Sequence, residues 1–150
     1  MKLEGTYLFG ETREQVWSTL MDPDAISSAI PGVEEFVPLE GEEYAWRAIA
    51  KVKMAAVSGR FPGQVQMSEI QPPTSYRLTV SGEGQGSIIS GSVVMRLEEK
   101  DGGGTVLHWD AEANISGKLA RIGQRLIKAA ANMMSKRFFG NLARQIRAPA

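Results

Sequence analysis

His108 and seventeen carboxylates are the residues of this 150-residue chain that could move protons, and no cysteine accompanies them. Without cysteine there is no disulfide, no thiol nucleophile and no thiolate metal site. A lone histidine has no second imidazole with which to share a metal, so no metal site and no cofactor are expected. His108 lies in "TVLHWDAEANIS" (105–116), where alternation puts it on the polar face as a solvated side chain rather than a base. The acid pairs Glu34-Glu35, Glu42-Glu43 and Glu98-Glu99 are sequence neighbours. Neighbours on a strand point to opposite faces, so these make poor acid–base dyads and read as solvated turns. Ser27-Ser28 and Ser90 have no base partner in the sequence. "GEGQGS" (82–87) looks faintly like a phosphate loop, but no lysine or helix start follows, and it reads as a strand-to-strand turn. No catalytic residue is assigned. What remains is soft and aromatic: Trp46, Phe61, Met67, Tyr76, Met95, Trp109, Met133 and Met134, with Ile122 and Leu126. Such stripes are ordinarily core. Yet methionine adapts to variable apolar surfaces, and apolar pockets with few polar groups are what lipid and cofactor sites look like. These ten are the candidate lining of a ligand site, in which Tyr76 could offer a hydroxyl to a quinone or lipid carbonyl.

The elements that must position them follow from pattern. Leu3 to Phe9 reads as a strand. "ETREQVWSTL" opens a helix through a capping box, Thr12 to Gln15. "DPDAISSAI" opens a second, with Asp22 as N-cap and Pro23 at its first position, and Pro31-Gly32 ends it. A run of strands follows. Their inward sets are Tyr44, Trp46, Ala48, Ala50, Val52 and Met54; then Val65 and Met67; Tyr76, Leu78 and Val80; Ile89, Gly91, Val93, Met95 and Leu97; and Thr105, Leu107, Trp109, Ala111, Ala113 and Ile115. Asp101 to Gly104 is a hairpin turn. The last element is a helix over 118–146, roughly 43 Å long at 1.5 Å per residue. There are no repeats, linkers or low-complexity tracts, so 1–150 is expected to be one domain.

A strand run with one polar face needs cover on the other, and only the C-terminal helix is long enough. The expected architecture is α+β: a curved antiparallel sheet wrapped around that helix, with two short helices after the first strand. Small residues face each other across the two, Ala48, Ala50, Gly91, Ala111 and Ala113 against Gly123 and Ala130. Either the elements approach closely or a cavity lies between sheet and helix.

Charge is divided unevenly. Residues 1–112 hold all seventeen acids and nine bases, a net of −8, while 113–150 hold eight bases and no acid. Lys118, Arg121, Arg125 and Lys128 share one side of the helix, away from Leu119, Ile122 and Leu126. They are expected to form an exposed basic face for an acidic partner or anionic headgroups, unless the acidic body itself neutralises them. Farther along, the apolar stripe turns over: Phe138, Phe139, Leu142 and Ile146 leave the side held by Leu119, Ile122, Leu126, Ala130 and Met133, with Gly140 at the changeover as a candidate kink. Those four either wedge against the domain's own rim or meet a partner chain, a membrane surface or the tail of a ligand.

The segments "VWSTLMDPDAISSAIPGVEEF", "GEGQGSIISGSV" and "GKLARIGQRLIKAAANMMSKRFFGNL" together resemble the CoxG-like family, the G subunits of carbon monoxide dehydrogenase, within the START-like, SRPBCC helix-grip superfamily (also called Bet v 1-like) over nearly the whole chain. The resemblance implies a hydrophobic ligand cavity between sheet and helix and a non-catalytic role. It implies service to a molybdenum hydroxylase of the carbon monoxide dehydrogenase type, including its recruitment to the membrane and the handling of quinone. Many members carry a C-terminal extension ending in an apolar membrane segment, whereas this sequence stops at "RQIRAPA". "MKLEGTYLFGE" lacks a signal-peptide core, and no stretch reaches the ~20 apolar residues of a membrane span. A cytoplasmic protein, at most peripheral at the inner membrane face, is expected, with no nucleic-acid partner. The other readings are a START-like cyclase or hydrolase on an apolar substrate and a ligand-free adaptor with a filled core.

Overall fold

The computed structural model describes residues 1–54 and 57–147; the side chains of Met54, counted above on an apolar strand face, and Arg147, counted among the bases, lie outside the described part. Seven strands form one antiparallel sheet: β1 (Lys2–Phe9), β2 (Val33–Pro38), β3 (Ala45–Met54), β4 (Val57–Gln71), β5 (Ser75–Gly84), β6 (Ser87–Glu99) and β7 (Thr105–Gly117), in the spatial order β1-β7-β6-β5-β4-β3-β2. Helices α1 (Arg13–Leu20) and α2 (Pro23–Ala29) follow β1, and α3 (Gln124–Arg147) ends the described chain. This is the expected α+β helix-grip architecture.

Local chemistry starts each helix. The Thr12 hydroxyl accepts from the Gln15 amide at 3.2 Å and the Gln15 side chain accepts from the Thr12 amide at 3.0 Å, closing the capping box. The Asp22 carboxylate accepts from the Asp24 amide at 3.0 Å, ahead of Pro23 at the first position of α2. The "GEGQGS" stretch is the β5–β6 hairpin, turning on Gln85 (φ 53°) and Gly86 (φ 71°). Tyr44 does not join the inward set. It lies before β3 with a left-handed φ of 55° and an exposed ring.

The long helix begins later than its periodicity suggests. Lys118–Ile122 is a separate 3-10 segment between Gly117 (φ 86°) and Gly123 (φ 94°), and α3 starts at Gln124. Those φ values lie where side chains with a Cβ are disfavoured, so the two glycines permit the break. Its consequence is a reset of helical phase. The inward face of the first half of α3 is Ile127, Ala130, Ala131 and Met134, whereas Leu126 and Met133 are 50% and 49% exposed. Gly140 causes no interruption, and α3 runs through it.

Burial follows a gradient along β1 and β3 to β7. At one end Phe9, Trp46, Met67, Tyr76, Met95, Leu97, Leu107 and Trp109 are buried together with Val16, Trp17 and Leu20 of α1, Ala25, Ile26 and Ala29 of α2, and Phe139, Leu142 and Ala143 of α3. Full burial of a large apolar side chain stabilises by roughly 1.5–3 kcal/mol, so most of the fold's hydrophobic stabilisation is concentrated here. Aromatic rings interlock through it: Phe9 lies edge-on to Phe139 at 6.3 Å, and Tyr76 edge-on to Trp17 at 5.8 Å. Toward the other end the inward side chains are only half-buried: Leu3 on β1, Val52 on β3, Phe61 and Val65 on β4, Leu78 and Val80 on β5, Ile89 and Val93 on β6, and Ala113 and Ile115 on β7.

Candidate functional site

The half-buried end is a cleft between the sheet and the first half of α3. The buried row Trp46, Met67, Tyr76, Met95 and Trp109 crosses β3 to β7 and forms its floor; Tyr76 pairs in register with Met95, and Met95 with Trp109. Helices α1 and α2 cover the inner face only below that floor. Above it, two features leave the sides open. On one side, β7 continues past the first residue of β1, which pairs at Lys2↔Glu112. On the other, β3 continues past the last residue it pairs with β2, Val33↔Ala50.

Three cavities lie around this space. One of about 480 Å³ at the tip is lined by Phe61, Leu119 and Ile122 with Ser58, the Gln85–Ser87 turn and Lys118. One of about 330 Å³ lies where Ala113 and Ile115 face Ala120, Gln124 and Ile127. One of about 420 Å³ lies where Val33 and Val52 face Met134 and Arg137. A further cavity, about 650 Å³, is a groove of mixed charge bordered by Lys2, Glu4, Arg77, Asp110, Glu112 and Lys128, and its lining does not suit an apolar molecule.

Of the ten candidate lining residues, Trp46, Met67, Tyr76, Met95 and Trp109 are buried core side chains that border none of these cavities, Phe61 and Ile122 line the tip cavity, and Met134 borders the opening beside β3. Leu126 and Met133 turn toward solvent, because helical phase starts at Gln124 and Ile127 takes the inward position instead. None of these four cavities takes in Trp46, Tyr76 or Trp109. Burial pushes the Tyr76 phenol above its ordinary pKa, since desolvation penalises the phenolate.

Phe139 and Leu142 are 2% and 1% exposed, within the core against Phe9 and Tyr7, so they do not meet a membrane or partner. Phe138 and Ile146 are half-buried against the same core. The second half of α3 lies against α1, α2 and β1, which is where the rotated stripe finds its cover. Asn141 Nδ2 reinforces this contact by donating to the Ala29 carbonyl at 2.9 Å.

Polar groups near the cleft are occupied structurally. Ser87, buried, accepts from the Leu119 amide at 2.8 Å, and the Gly86 carbonyl accepts from the Lys118 amide at 3.2 Å, so the hairpin holds the 3-10 segment. At the sealed end, the Thr105 hydroxyl donates to the Glu11 carbonyl at 2.9 Å. Two of the acid pairs work in ion pairs: Glu34 with Arg60, Glu35 with Arg47 at 3.2 Å, Glu99 with Arg13 at 3.2 Å. The Arg60 guanidinium holds the Glu34 carboxyl below its ordinary pKa. His108 lies outside the cleft, half-buried, with Nε2 3.7 Å from Glu98. Among the described residues no group of three acids, histidines or cysteines could hold a metal.

The basic segment shows a different pattern. Lys118, Arg121, Arg125 and Lys128 are exposed, and among the described residues none forms an ion pair; the acidic body satisfies its own arginines instead.

Residues 5–147 match the sequence profile of CoxG, the G subunit of carbon monoxide dehydrogenase. A conserved protein from Geobacillus kaustophilus, known from its crystal structure, is 31% identical over 98% of this chain and 95% of that one, with a TM-score of 0.92. A START superfamily protein from Mycobacterium smegmatis is 9% identical, with 97% of each chain covered and a TM-score of 0.71. A Chromobacterium violaceum protein is 12% identical, with 99% of each covered and a TM-score of 0.72. The last two are alike in fold alone. No curated protein matches the sequence. No helix among the described residues is long and apolar enough to cross a membrane.

Proposed function

The chain belongs to the CoxG family of carbon monoxide dehydrogenase G subunits, and on that premise we propose that it is a non-catalytic accessory protein holding an apolar small molecule, an isoprenoid quinone or a lipid, between its sheet and α3. The observation that carries the reading is the burial gradient. Inward side chains that an ordinary core would close over, Val52, Phe61, Val65, Val80, Ile89, Val93 and Ile115, stay half-buried around a floor of two tryptophans, two methionines and a tyrosine. Apolar surface left in contact with water inside a fold disfavours it by about 25 cal/mol per Å², and a long apolar guest removes that cost. Methionines in the floor can follow its shape. The enzyme reading would require a polar pair facing the guest, and Ser87 and Thr105 are both committed to backbone partners.

The partner served would be a molybdenum hydroxylase of the carbon monoxide dehydrogenase type, as the family's own description suggests, and the protein would work in the cytoplasm or at the inner membrane face. Solvent extraction of protein purified without detergent, followed by mass spectrometry, tests the proposal. Near-stoichiometric quinone or lipid is expected. A clean extract, together with unchanged tryptophan fluorescence on adding a long-chain quinone, would sink the ligand reading and leave the adaptor.

A further inference from the structure

We propose that the opening between β3 and α3 is a headgroup site for an anionic single-chain amphiphile, a long-chain carboxylate or a monoalkyl phosphate, whose tail lies in the cleft. Lys51, Lys53 and Arg137 would hold the head, and Val33, Val52 and Met134 the first part of the tail. The proposal rests on the cleft reading and fixes the class of guest, since a neutral quinone would leave these cations unused.

The two side openings of the cleft differ in charge. The one where Ala113 and Ile115 face Ile127 has no charged side chain in its lining. The one beside β3, about 420 Å³, is bordered by three cations, Lys51, Lys53 and Arg137, around Val33, Val52 and Met134. All three cations are exposed, and among the described residues none forms an ion pair. The single acid in that lining, Glu34, is already taken: Arg60 donates to both of its carboxylate oxygens, and Lys51 adds only a weaker attraction. A further donor comes from the backbone. The Lys51 amide donates to the Gly32 carbonyl at 2.8 Å, and β2 pairs no farther along β3 than Val33↔Ala50. Amides two residues apart on a strand point the same way, so the Lys53 N–H points to an edge where no strand lies among the described residues. Lysines also guard free sheet edges against pairing with other chains, which accounts for Lys51 and Lys53. It does not account for Arg137, which follows Met134 by three residues on α3 and meets the same cavity from its other wall. Cations supplied by two walls of one apolar opening fit a carboxylate or phosphate, which a guanidinium can hold through two hydrogen bonds. Inward from Val52, the half-buried Ala50 and Ala48 lead along β3 to Trp46 in the floor, and their small side chains leave room for a tail.

Titration calorimetry of the delipidated full chain with dodecanoate, dodecyl phosphate and dodecanol, which share one tail and differ in the head, tests the site. At neutral pH and low salt an anionic probe is expected to bind about tenfold more tightly than the alcohol, because hydrogen bonds to a charged group are the stronger kind. That gap should narrow as salt rises, since exposed charges are screened within ~10 Å at 0.1 M. The tighter of the two anions identifies the head that the site holds. Lys53→Gln with Arg137→Gln should close most of the gap. Arg121→Gln with Arg125→Gln removes the same charge from a segment that borders none of the four cavities, and should leave the gap open. All four side chains are exposed, and glutamine is as good a helix former as arginine, so folding is not at risk. An alcohol bound as tightly as both anions, or a gap that survives Lys53→Gln with Arg137→Gln, overturns the anionic-head proposal and leaves an apolar guest in the cleft. Failure of all three probes and of a long-chain quinone to bind removes the cleft reading itself, and this proposal with it.

Discussion

The sheet carries the same inward alternation from end to end, yet its two ends have different fates. Below the floor, Phe9, Leu97 and Leu107 meet Val16, Leu20, Phe139 and Leu142 and are sealed. Above it, Phe61, Val80, Ile89 and Ile115 have only the 3-10 segment and the thin inner stripe of α3, Ile127, Ala130, Ala131 and Met134, for cover, and remain half-buried. The hydrophobic pattern is equal, and the number of covering helices is not. Alternation therefore decides which side chains point inward, while cover decides whether they become core or lining.

The largest test of this contrast compares truncations on one helix. Leu142→Ala should cost about 3–5 kcal/mol in urea unfolding, the range for a sealed leucine leaving a cavity. Met134→Ala should cost below about 1 kcal/mol, because its side chain is already half in solvent. Equal costs would break the distinction between the two ends. A sharper test addresses the open end alone. A Cβ on Gly117 would lie 2.1 Å from the Gly86 carbonyl oxygen, in addition to the positive φ, whereas one on Gly123 meets nothing within 4 Å. Gly117→Ala should cost about 2–3 kcal/mol and raise amide exchange across 118–122, and Gly123→Ala about 1 kcal/mol. A Gly117 variant as stable as the Gly123 variant would show that the hairpin does not hold the 3-10 segment. The smallest effect is confined to alkaline pH. Tyr76 ionises near its ordinary value of about 10 in the unfolded chain but later in the fold, so the stability it contributes is complete below that pH and is lost as pH rises above it. The tyrosinate absorbance that a Tyr76→Phe variant lacks should appear in the parent only together with unfolding; a reversible Tyr76 signal before unfolding would place its phenol in solvent.

Much of this was legible in residues. Thr12 with Gln15, Asp22 with Pro23, and the alternation through Trp109 name their elements because capping and pleat are local rules. The family resemblance supplied the topology. The misplacements on the long helix have separate causes. Counting helical phase from Leu119 put Leu126 and Met133 inward, since a glycine at positive φ interrupts the phase without changing the spacing of apolar letters. Phe139 and Leu142 looked unpartnered because their cover, α1 and α2, lies more than a hundred residues away in sequence. The unpaired state of Lys118, Arg121 and Arg125 could not be read either, since both the acids to pair them and the bases to compete exist in equal number.

The strand order places β1 beside β7, with Phe9 opposite Thr105 and the terminal amine on the Ala113 carbonyl at 2.8 Å. A ribosome adds about 5–20 residues per second, so β1 leaves it roughly 5–20 s before the strand that completes it. Through that interval Phe9, Val16, Trp17 and Leu20 have no native cover from β7 or α3. The sealed end is thus the last to close during synthesis, and residues 1–20 are the segment most in need of a chaperone's protection until α3 arrives.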